Sequence, residues 1–348
     1  MSDATVQLLA TLVKIAVILG ALQAMVAGMT WVERRVSAWM QDRQGPNRVG
    51  PFGLLQPVAD GIKFILKEDL VPPTAHRPLY VLAPAMALAP ALVGFCVIPF
   101  GTALLIAGHR IPLVIADVDA GVLAVLAISA MGVYGIAMAG WASNNKYSQM
   151  GSLRSSAQLI SYELALGVAV IGVVMGAGTL RPAMIVARQG DWAWNILLQP
   201  LGFLVFLVAA FAETNRAPFD LPEAESELVA GYHTEYSGMK FAMFFMAEYI
   251  NMAVSSALMV TLYLGGWNLP GLDRLLSGNA LALAQAGVFL AKLAFLLFFF
   301  VWVRWTLPRF RYDQLMRLGW KVLLPLAFLN IVWVGALVAS GLYDRWQG

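Results

Sequence analysis

Cysteines, histidines and charged residues are all scarce in this chain, and each shortage excludes a class of protein. The single cysteine, Cys96, excludes an internal disulfide and any iron–sulfur cluster or structural zinc held by cysteines of this chain alone. The three histidines, His76, His109 and His233, fall in loops, so a haem held by two histidines between helices is not expected. Only 12% of the 348 residues are charged and 60% are hydrophobic, whereas soluble domains have about 25% charged residues. We therefore expect a polytopic membrane protein with no redox metal of its own.

Long apolar runs predict the membrane spans, because a helix needs about 20 apolar residues to cross the hydrocarbon layer. The first run is too long for a signal peptide and lacks a basic region before it, so we interpret it as a retained helix. Eight runs qualify, at 8–32, 79–106, 118–140, 158–179, 196–214, 241–265, 281–305 and 321–342. The predicted fold is an all-α polytopic membrane protein, with residues 1–348 forming one helical bundle.

Lysine and arginine predict the orientation. The odd-numbered loops, with the residues at their edges, hold sixteen of the twenty-three basic residues, and the opposite side holds five. Short cytoplasmic loops carry this excess, so these loops are predicted to be cytoplasmic and both termini periplasmic. The loops are 33–78, 141–157, 215–240 and 306–320.

The first of these loops contains a periodic segment at 56–68. Its apolar residues Val58, Ile62 and Leu66 share one helical face, and Pro57 suits a first helical turn. We predict an amphipathic helix lying in the cytoplasmic interface, with an ordinary surface helix as the alternative.

Five ionisable residues fall inside predicted spans: Lys14, Glu163, Glu213, Glu248 and Lys292. A charge near the bilayer centre costs at least ~2.5–3.5 kcal/mol, so such residues face a partner or a wet cavity. The functional interpretation is a proton path, and the structural one is an interhelical ion pair or a side chain that reaches the interface. The second fits Lys14, whereas a carboxylate partner is expected for Lys292.

The sixth span carries a polar stripe. Glu248, Asn251 and Ser255 recur at three- and four-residue spacing and therefore share a face. Several carboxylates in one low-dielectric cavity cannot all ionise cheaply, so some can exchange protons near neutral pH, as a proton relay requires.

Loop 215–240 concentrates acids on the side where basic residues are preferred. Apolar residues interrupt the acids, which indicates a loop folded against something rather than a solvated face. The acids are Asp220, Glu223, Glu225, Glu227 and Glu235. No nucleophile–base pair, phosphate-binding glycine loop or metal-ligand spacing is present in the sequence. The residues alone leave a transporter and a redox-coupled subunit both open.

Several motifs resemble one family over nearly the whole chain. They include Glu33–Arg35, Gly45–Pro51 (GPNRVGP), Asp60–Lys63 and Ser161–Glu163. The most specific is Ala212–Leu221 (AETNRAPFDL) with the acids after it. With these motifs the chain is similar to the H-subunit family of bacterial NADH–quinone oxidoreductase, respiratory complex I, whose mitochondrial counterpart is the first membrane subunit.

The resemblance implies that a quinone, expected to be ubiquinone, enters from the bilayer between the first helix, the interfacial helix and the sixth helix. Electrons would come from an iron–sulfur cluster in a peripheral partner, with FMN and the other clusters also in partner subunits. Loops 33–78 and 215–240 would form the docking surface and the chamber floor. Antiporter-like membrane subunits would be neighbours in a bacterial inner membrane.

The same resemblance implies two sets of site residues. The candidate quinone-chamber residues are Glu33, Arg34, Arg35, Asp60, Lys63, Lys67, Arg216, Phe219 and Asp220. The candidate proton-path residues are Glu163, Glu213, Glu223, Glu225, Glu227, Glu235 and Glu248. For Arg34, Lys67 and Arg216 the alternative is structural anchoring of the loops.

Two other functions stay open at this point. One is the equivalent membrane subunit of an energy-converting hydrogenase, whose partners reduce protons rather than quinone. The other is a stand-alone ion transporter, which the lack of a visible sequence repeat disfavours.

Overall fold

Helices account for nearly all regular structure in the computed structural model, which describes residues 3–106, 108–190, 193–221 and 225–347. One antiparallel hairpin, β1 Ala103–Ile106 with β2 His109–Pro112, joins two of the helices. The α-helices are α1 Asp3–Met40, α2 Gln56–Leu66, α3 Arg77–Gly94, α4 Gly121–Ala130, α5 Gly132–Ala142, α6 Lys146–Ala177, α7 Pro182–Arg188, α8 Asn195–Leu198, α9 Pro200–Glu213, α10 Glu225–Leu228, α11 Gly238–Tyr263, α12 Leu272–Leu275, α13 Gly278–Thr306, α14 Tyr312–Arg317, α15 Leu324–Ala339 and α16 Leu342–Gln347.

Seven helical segments of the described chain are long and apolar enough to cross a membrane. The predicted class, an all-α polytopic membrane protein, is confirmed. The segments are Thr5–Met40, Arg77–Val97, Gly121–Ala142, Lys146–Ala177, Gly238–Tyr263, Gly278–Thr306 and Tyr312–Ala339.

The fifth predicted span, 196–214, is shorter in the structure than its hydropathy suggested. It is divided into the single turn α8 and the 14-residue helix α9. At 1.5 Å per residue α9 is about 21 Å long, less than the ~30 Å hydrocarbon layer. α9 packs against α6, α11 and α15 and is largely buried. A helix enclosed by protein does not have to reach both lipid interfaces by itself.

Three predicted loops are partly helical. α1 continues to Met40, so Glu33, Arg34 and Arg35 lie on its last turns rather than in loop 33–78. α6 begins at Lys146, inside the predicted loop 141–157. Hydropathy marks where apolar residues stop, whereas glutamate, lysine and arginine continue a helix readily.

The four predicted cytoplasmic loops meet at one end of the bundle, here called the loop end. Lys240 pairs with Asp69 at 2.7 Å, joining α11 to the first loop. The Asn145 amide donates to Glu235 at 2.5 Å. The hairpin lies at the opposite end, where the Lys14 ammonium donates to the Val114 carbonyl at 2.6 Å. This grouping agrees with the predicted alternation of loops, and the compartment that each end faces stays a prediction.

The predicted interfacial helix is present as α2, two residues shorter than predicted. It contacts α1 and α11 at the loop end. Its apolar residues Val58, Ile62 and Leu66 are exposed in the isolated chain. Because α2 lies across α1 and α11, a groove remains beneath it.

Candidate functional site

The groove between α1, α2 and α11 encloses about 580 Å³. This volume lies within the usual range for a small-molecule site, and such sites are mostly apolar with a few polar groups. Three acids and bases line it, Glu33, Arg34 and Asp60, together with Arg304 and Tyr249. Apolar side chains from all three helices supply much of the remaining wall: Val26, Phe64, Ile65, Phe241, Ala242, Phe245 and Met246.

A buried charge cluster forms part of the groove wall around Glu33, which is 6% exposed. The Arg216 guanidinium donates to both Glu33 carboxylate oxygens, at 3.0 and 3.1 Å. The Tyr249 hydroxyl donates to the same carboxylate at 2.5 Å, and Arg304 also pairs with it. Buried carboxylates need such partners, because an unpaired buried charge is strongly destabilising.

Arg216 belongs to this cluster through a second carboxylate as well. It is 5% exposed, pairs with Glu248 of α11, and lies over the Tyr249 ring at 4.4 Å from the centroid. The cluster, defined as Glu33, Arg216, Glu248, Tyr249 and Arg304, therefore holds two carboxylates and two guanidinium groups. Their formal charges balance.

A turn after α9 directs Arg216 into the bundle. α9 ends at Glu213, and Asn215 adopts a left-handed conformation (φ 51°), which asparagine tolerates better than most residues. The Arg216 amide donates to the Phe211 carbonyl at 3.3 Å, and the Phe219 amide donates to the Arg216 carbonyl at 2.8 Å. The turn is thus closed on both sides of the arginine.

A second, smaller space, the acidic cavity, encloses about 50 Å³ on the other side of Arg216. Glu163 of α6, Glu213 of α9 and Glu248 of α11 all line it. Its size and its polar groups suit a small number of water molecules. Three helices therefore bring together carboxylates that are far apart in the sequence.

The predicted polar stripe of α11 faces this cavity. Glu248 and Asn251 line it, and the Ser255 hydroxyl donates to the Glu213 carboxylate at 3.5 Å. The three residues do share a face, as their spacing predicted.

Arg216 connects the two spaces. Glu33 lines the groove, Glu248 lines the acidic cavity, and Arg216 pairs with both carboxylates. A continuous line of charged contacts thus runs from the groove to the cavity.

Comparison with known proteins assigns the family. The model of the NADH dehydrogenase family matches residues 13–335. This chain belongs to that family. A relative from Thermomicrobium roseum is 54% identical over 337 residues, covering 94% of this chain and 95% of the relative. A relative from Geobacter metallireducens is 53% identical over 324 residues, covering 93% and 95%. A relative from Cytophaga hutchinsonii is 52% identical over 311 residues, covering 89% and 91%. All three are named as the H subunit of NADH-quinone oxidoreductase, with a copy number in two cases, so the resemblance inferred from the motifs is confirmed.

The chamber residues that the resemblance implied divide into two groups in this family member. Glu33, Arg34 and Asp60 line the groove, and Arg216 contacts its wall. Arg34 pairs with Asp60 at 2.7 Å, and Lys63 lies 3.6 Å from the same carboxylate, so these three form a rim.

The remaining chamber candidates lie away from the groove. Arg35 donates to the Pro46 carbonyl at 3.1 Å and secures the first loop. Lys67 follows α2 and is exposed. Phe219 packs against Tyr162 and Phe310, and Asp220 pairs with Arg309 at 2.9 Å. Neighbouring positions on a helix point in different directions, which separates Arg35 from Arg34.

The loop acids also lie outside the acidic cavity where they are described. Glu227 pairs with Arg154 of α6 at 2.6 Å, and Glu235 accepts a hydrogen bond from Asn145. Both contacts hold loop 215–240 against the start of α6. Glu223 lies outside the described residues, and so does the side chain of Glu225, the first residue of α10.

Two site residues were not identified from the sequence. Arg304 was counted only as a loop-edge charge, and Tyr249 was not singled out. Arg304 stands 271 residues from its partner Glu33, so no local pattern connects them. The available signal was the position of Tyr249 directly after Glu248.

The carboxylate partner predicted for Lys292 is wrong. Its ammonium donates to the carbonyls of Leu264, Gly266 and Asn268 at 2.7, 3.0 and 2.7 Å. It also lies 4.4 Å from the centre of the Trp194 ring. The turn after α11 leaves carbonyl groups without helical partners, and these replace an acid as acceptors.

Proposed function

We propose that this chain is the quinone-facing membrane subunit of a proton-pumping NADH–quinone oxidoreductase. In this proposal the groove receives a quinone, and the charge cluster links it to the acidic cavity. The observation that carries the proposal is the position of Arg216, which pairs with one carboxylate of each space.

The groove suits a ligand with a long apolar tail and a polar head. Its apolar wall is formed by α1, α2 and α11, and its polar residues lie together around Glu33 and Asp60. A ubiquinone has this chemistry. Its reduction to the quinol takes two electrons and two protons, and we assign the electrons to an iron–sulfur cluster of a peripheral partner, which also contains FMN.

Coupling to protons would begin at the charge cluster. Reduction of a quinone changes the charge next to Glu33, and Arg216 can strengthen its contact with Glu248 only at the expense of Glu33. The protonation of Glu248, Glu213 and Glu163 would respond, which amounts to a coupling free energy between the groove and the cavity.

The loop end supports the assignment of partners. Loops 33–78 and 215–240 contact each other there through Lys240 and Asp69, and they form a surface on which a peripheral arm can dock. We place this end in the cytoplasm, the termini in the periplasm and the chain in a bacterial inner membrane. Antiporter-like subunits would receive the coupled charge changes.

The test replaces one buried acid at a time in the assembled complex. Glu213→Gln and Glu163→Gln should lower both quinone-dependent NADH oxidation and proton pumping, while the amount of assembled complex stays normal. Asp119→Asn, at the exposed hairpin end, is the charge-loss control and should retain full activity. Normal turnover and pumping in both assembled glutamine variants would contradict the proposal.

Deletion of the gene distinguishes the hydrogenase alternative. Membranes should lose quinone-dependent NADH oxidation and regain it when the wild-type gene is restored. Retention of that activity together with loss of hydrogen evolution would favour the hydrogenase.

A further inference from the structure

Gln158 of α6 contacts both ends of the turn that presents Arg216. The side chain is fully buried. Its amide nitrogen lies 2.9 Å from the Ala212 carbonyl oxygen and 3.0 Å from the Phe219 carbonyl oxygen. The same nitrogen lies 3.2 Å from the Asn215 side-chain oxygen. One amide thus shares its two protons among three oxygens that flank Arg216.

A second contact from the same face of α6 supports this turn. The Asn215 amide donates to the Ser155 hydroxyl at 3.2 Å. Ser155 and Gln158 are three residues apart on α6 and therefore neighbours on one face. Asn215 has the left-handed backbone conformation, so the contact fixes the most constrained residue of the turn.

We infer that Gln158 is a positioning residue for Arg216. It holds the turn at 212–219 against α6, so that the guanidinium reaches Glu33 and Glu248 together. α6 also carries Glu163, five residues further on, which lines the acidic cavity. One helix therefore sets the positions of both the cavity acid and the arginine. The inference rests on the proposed function.

The chemistry of the pocket explains the residue type. Three oxygens face the side chain, so a neutral donor fits and a carboxylate does not. Gln158→Met keeps the approximate volume and removes the donor. It leaves buried acceptors without their hydrogen bonds, at a cost of ~1–3 kcal/mol. Part of that cost can be relieved if the turn shifts and Arg216 moves with it.

The experiment measures quinone kinetics in the assembled membrane complex. For Gln158→Met we expect kcat/KM for quinone to fall on the order of tenfold, which equals about 1.4 kcal/mol. The rise in KM should exceed the fall in kcat. NADH oxidation by ferricyanide, which takes electrons before the quinone, should be unchanged. Gln149→Met, the same substitution at an exposed position of α6, should retain wild-type kinetics.

A double mutant separates positioning from general stability. Arg216→Lys keeps the charge but cannot reproduce the forked contact with two carboxylates, so it should also impair quinone turnover. Combined with Gln158→Met, its effect should be clearly less than additive. If Gln158→Met does not assemble, Gln158→Asn serves in its place. It keeps the amide, but is too short to reach both carbonyls, and should show the same KM rise and non-additivity.

The outcomes distinguish the two levels of the argument. Normal quinone kinetics in Arg216→Lys would overturn the proposed link between groove and cavity, and the role of Gln158 with it. An impaired Arg216→Lys with normal kinetics in the Gln158 variants, or with additive effects in the double mutant, would overturn only the positioning role.

Discussion

The balance of the buried charge cluster makes Glu33→Gln the most informative single change. In the wild type, the carboxylates of Glu33 and Glu248 balance the guanidinium groups of Arg216 and Arg304. The amide of glutamine has nearly the same shape, but leaves one uncompensated positive charge. Tyr249 keeps an oxygen to which it can donate.

Burial decides the size of the effect. Removing one partner of a buried ion pair costs ~3–5 kcal/mol, because the other charge stays in a low-dielectric site. The lower part of this range applies, since Arg216 retains Glu248 and the Arg304 side chain is 35% exposed and can be hydrated. We therefore expect Glu33→Gln to reduce the free energy of unfolding by about 3 kcal/mol.

The assay is an SDS titration of the purified chain in mixed micelles, followed by the fluorescence of its eleven tryptophans. Asp60→Asn is the matched control, because it breaks the rim pair with Arg34, whose side chain is 49% exposed. Exposed pairs contribute ~0–1 kcal/mol, so this control should change the free energy of unfolding little.

A compensating change tests the reasoning itself. Glu33→Gln combined with Arg304→Gln restores the charge balance and should recover more than half of the lost stability. If the double variant is destabilised by the sum of the single effects, or if Glu33→Gln costs no more than Asp60→Asn, the argument from charge balance is refuted.

Two further predictions concern the groove wall and the turn after α11. Ala242→Phe narrows the groove and should raise the KM for a long-tailed quinone much more than for a short-tailed analogue; an equal rise for both would show that the tail does not pass this point. Lys292→Met leaves three carbonyls without their donor, so amide hydrogen exchange at Gly266 and Asn268 should accelerate, by about tenfold for each 1.4 kcal/mol lost. Unchanged exchange there would mean that the turn holds without the lysine, and Lys14→Met at the other side of the hairpin end is the control.

The membrane class and the polar face of α11 could be predicted because both are written in local spacing. A run of apolar residues identifies a span, and the three- and four-residue intervals from Glu248 to Ser255 place those side chains together. The length of α9 could not be predicted in this way. Its hydropathy matches that of a spanning helix, and only its neighbours α6, α11 and α15 show that protein rather than lipid surrounds it.

The charge cluster was out of reach for a different reason. Arg216 and Arg304 lie 183 and 271 residues from Glu33, and nothing local to one residue identifies the others. The rule that a buried charge needs a counter-charge also failed for Lys292. It counts acids and overlooks the carbonyl groups that a broken helix makes available.

The attachment of α1 at its two ends has a mechanical consequence for the groove. At the hairpin end, its contacts involve side chains with access to solvent, such as Asp3, which is 80% exposed and contacts His109. At the loop end, α1 is held through the enclosed carboxylate of Glu33. Water competes for the first set of contacts and not for the second. A bulky molecule that forces its way sideways past α1 will therefore displace the N-terminal part of the helix, which turns about Glu33 as a lever turns about its fulcrum.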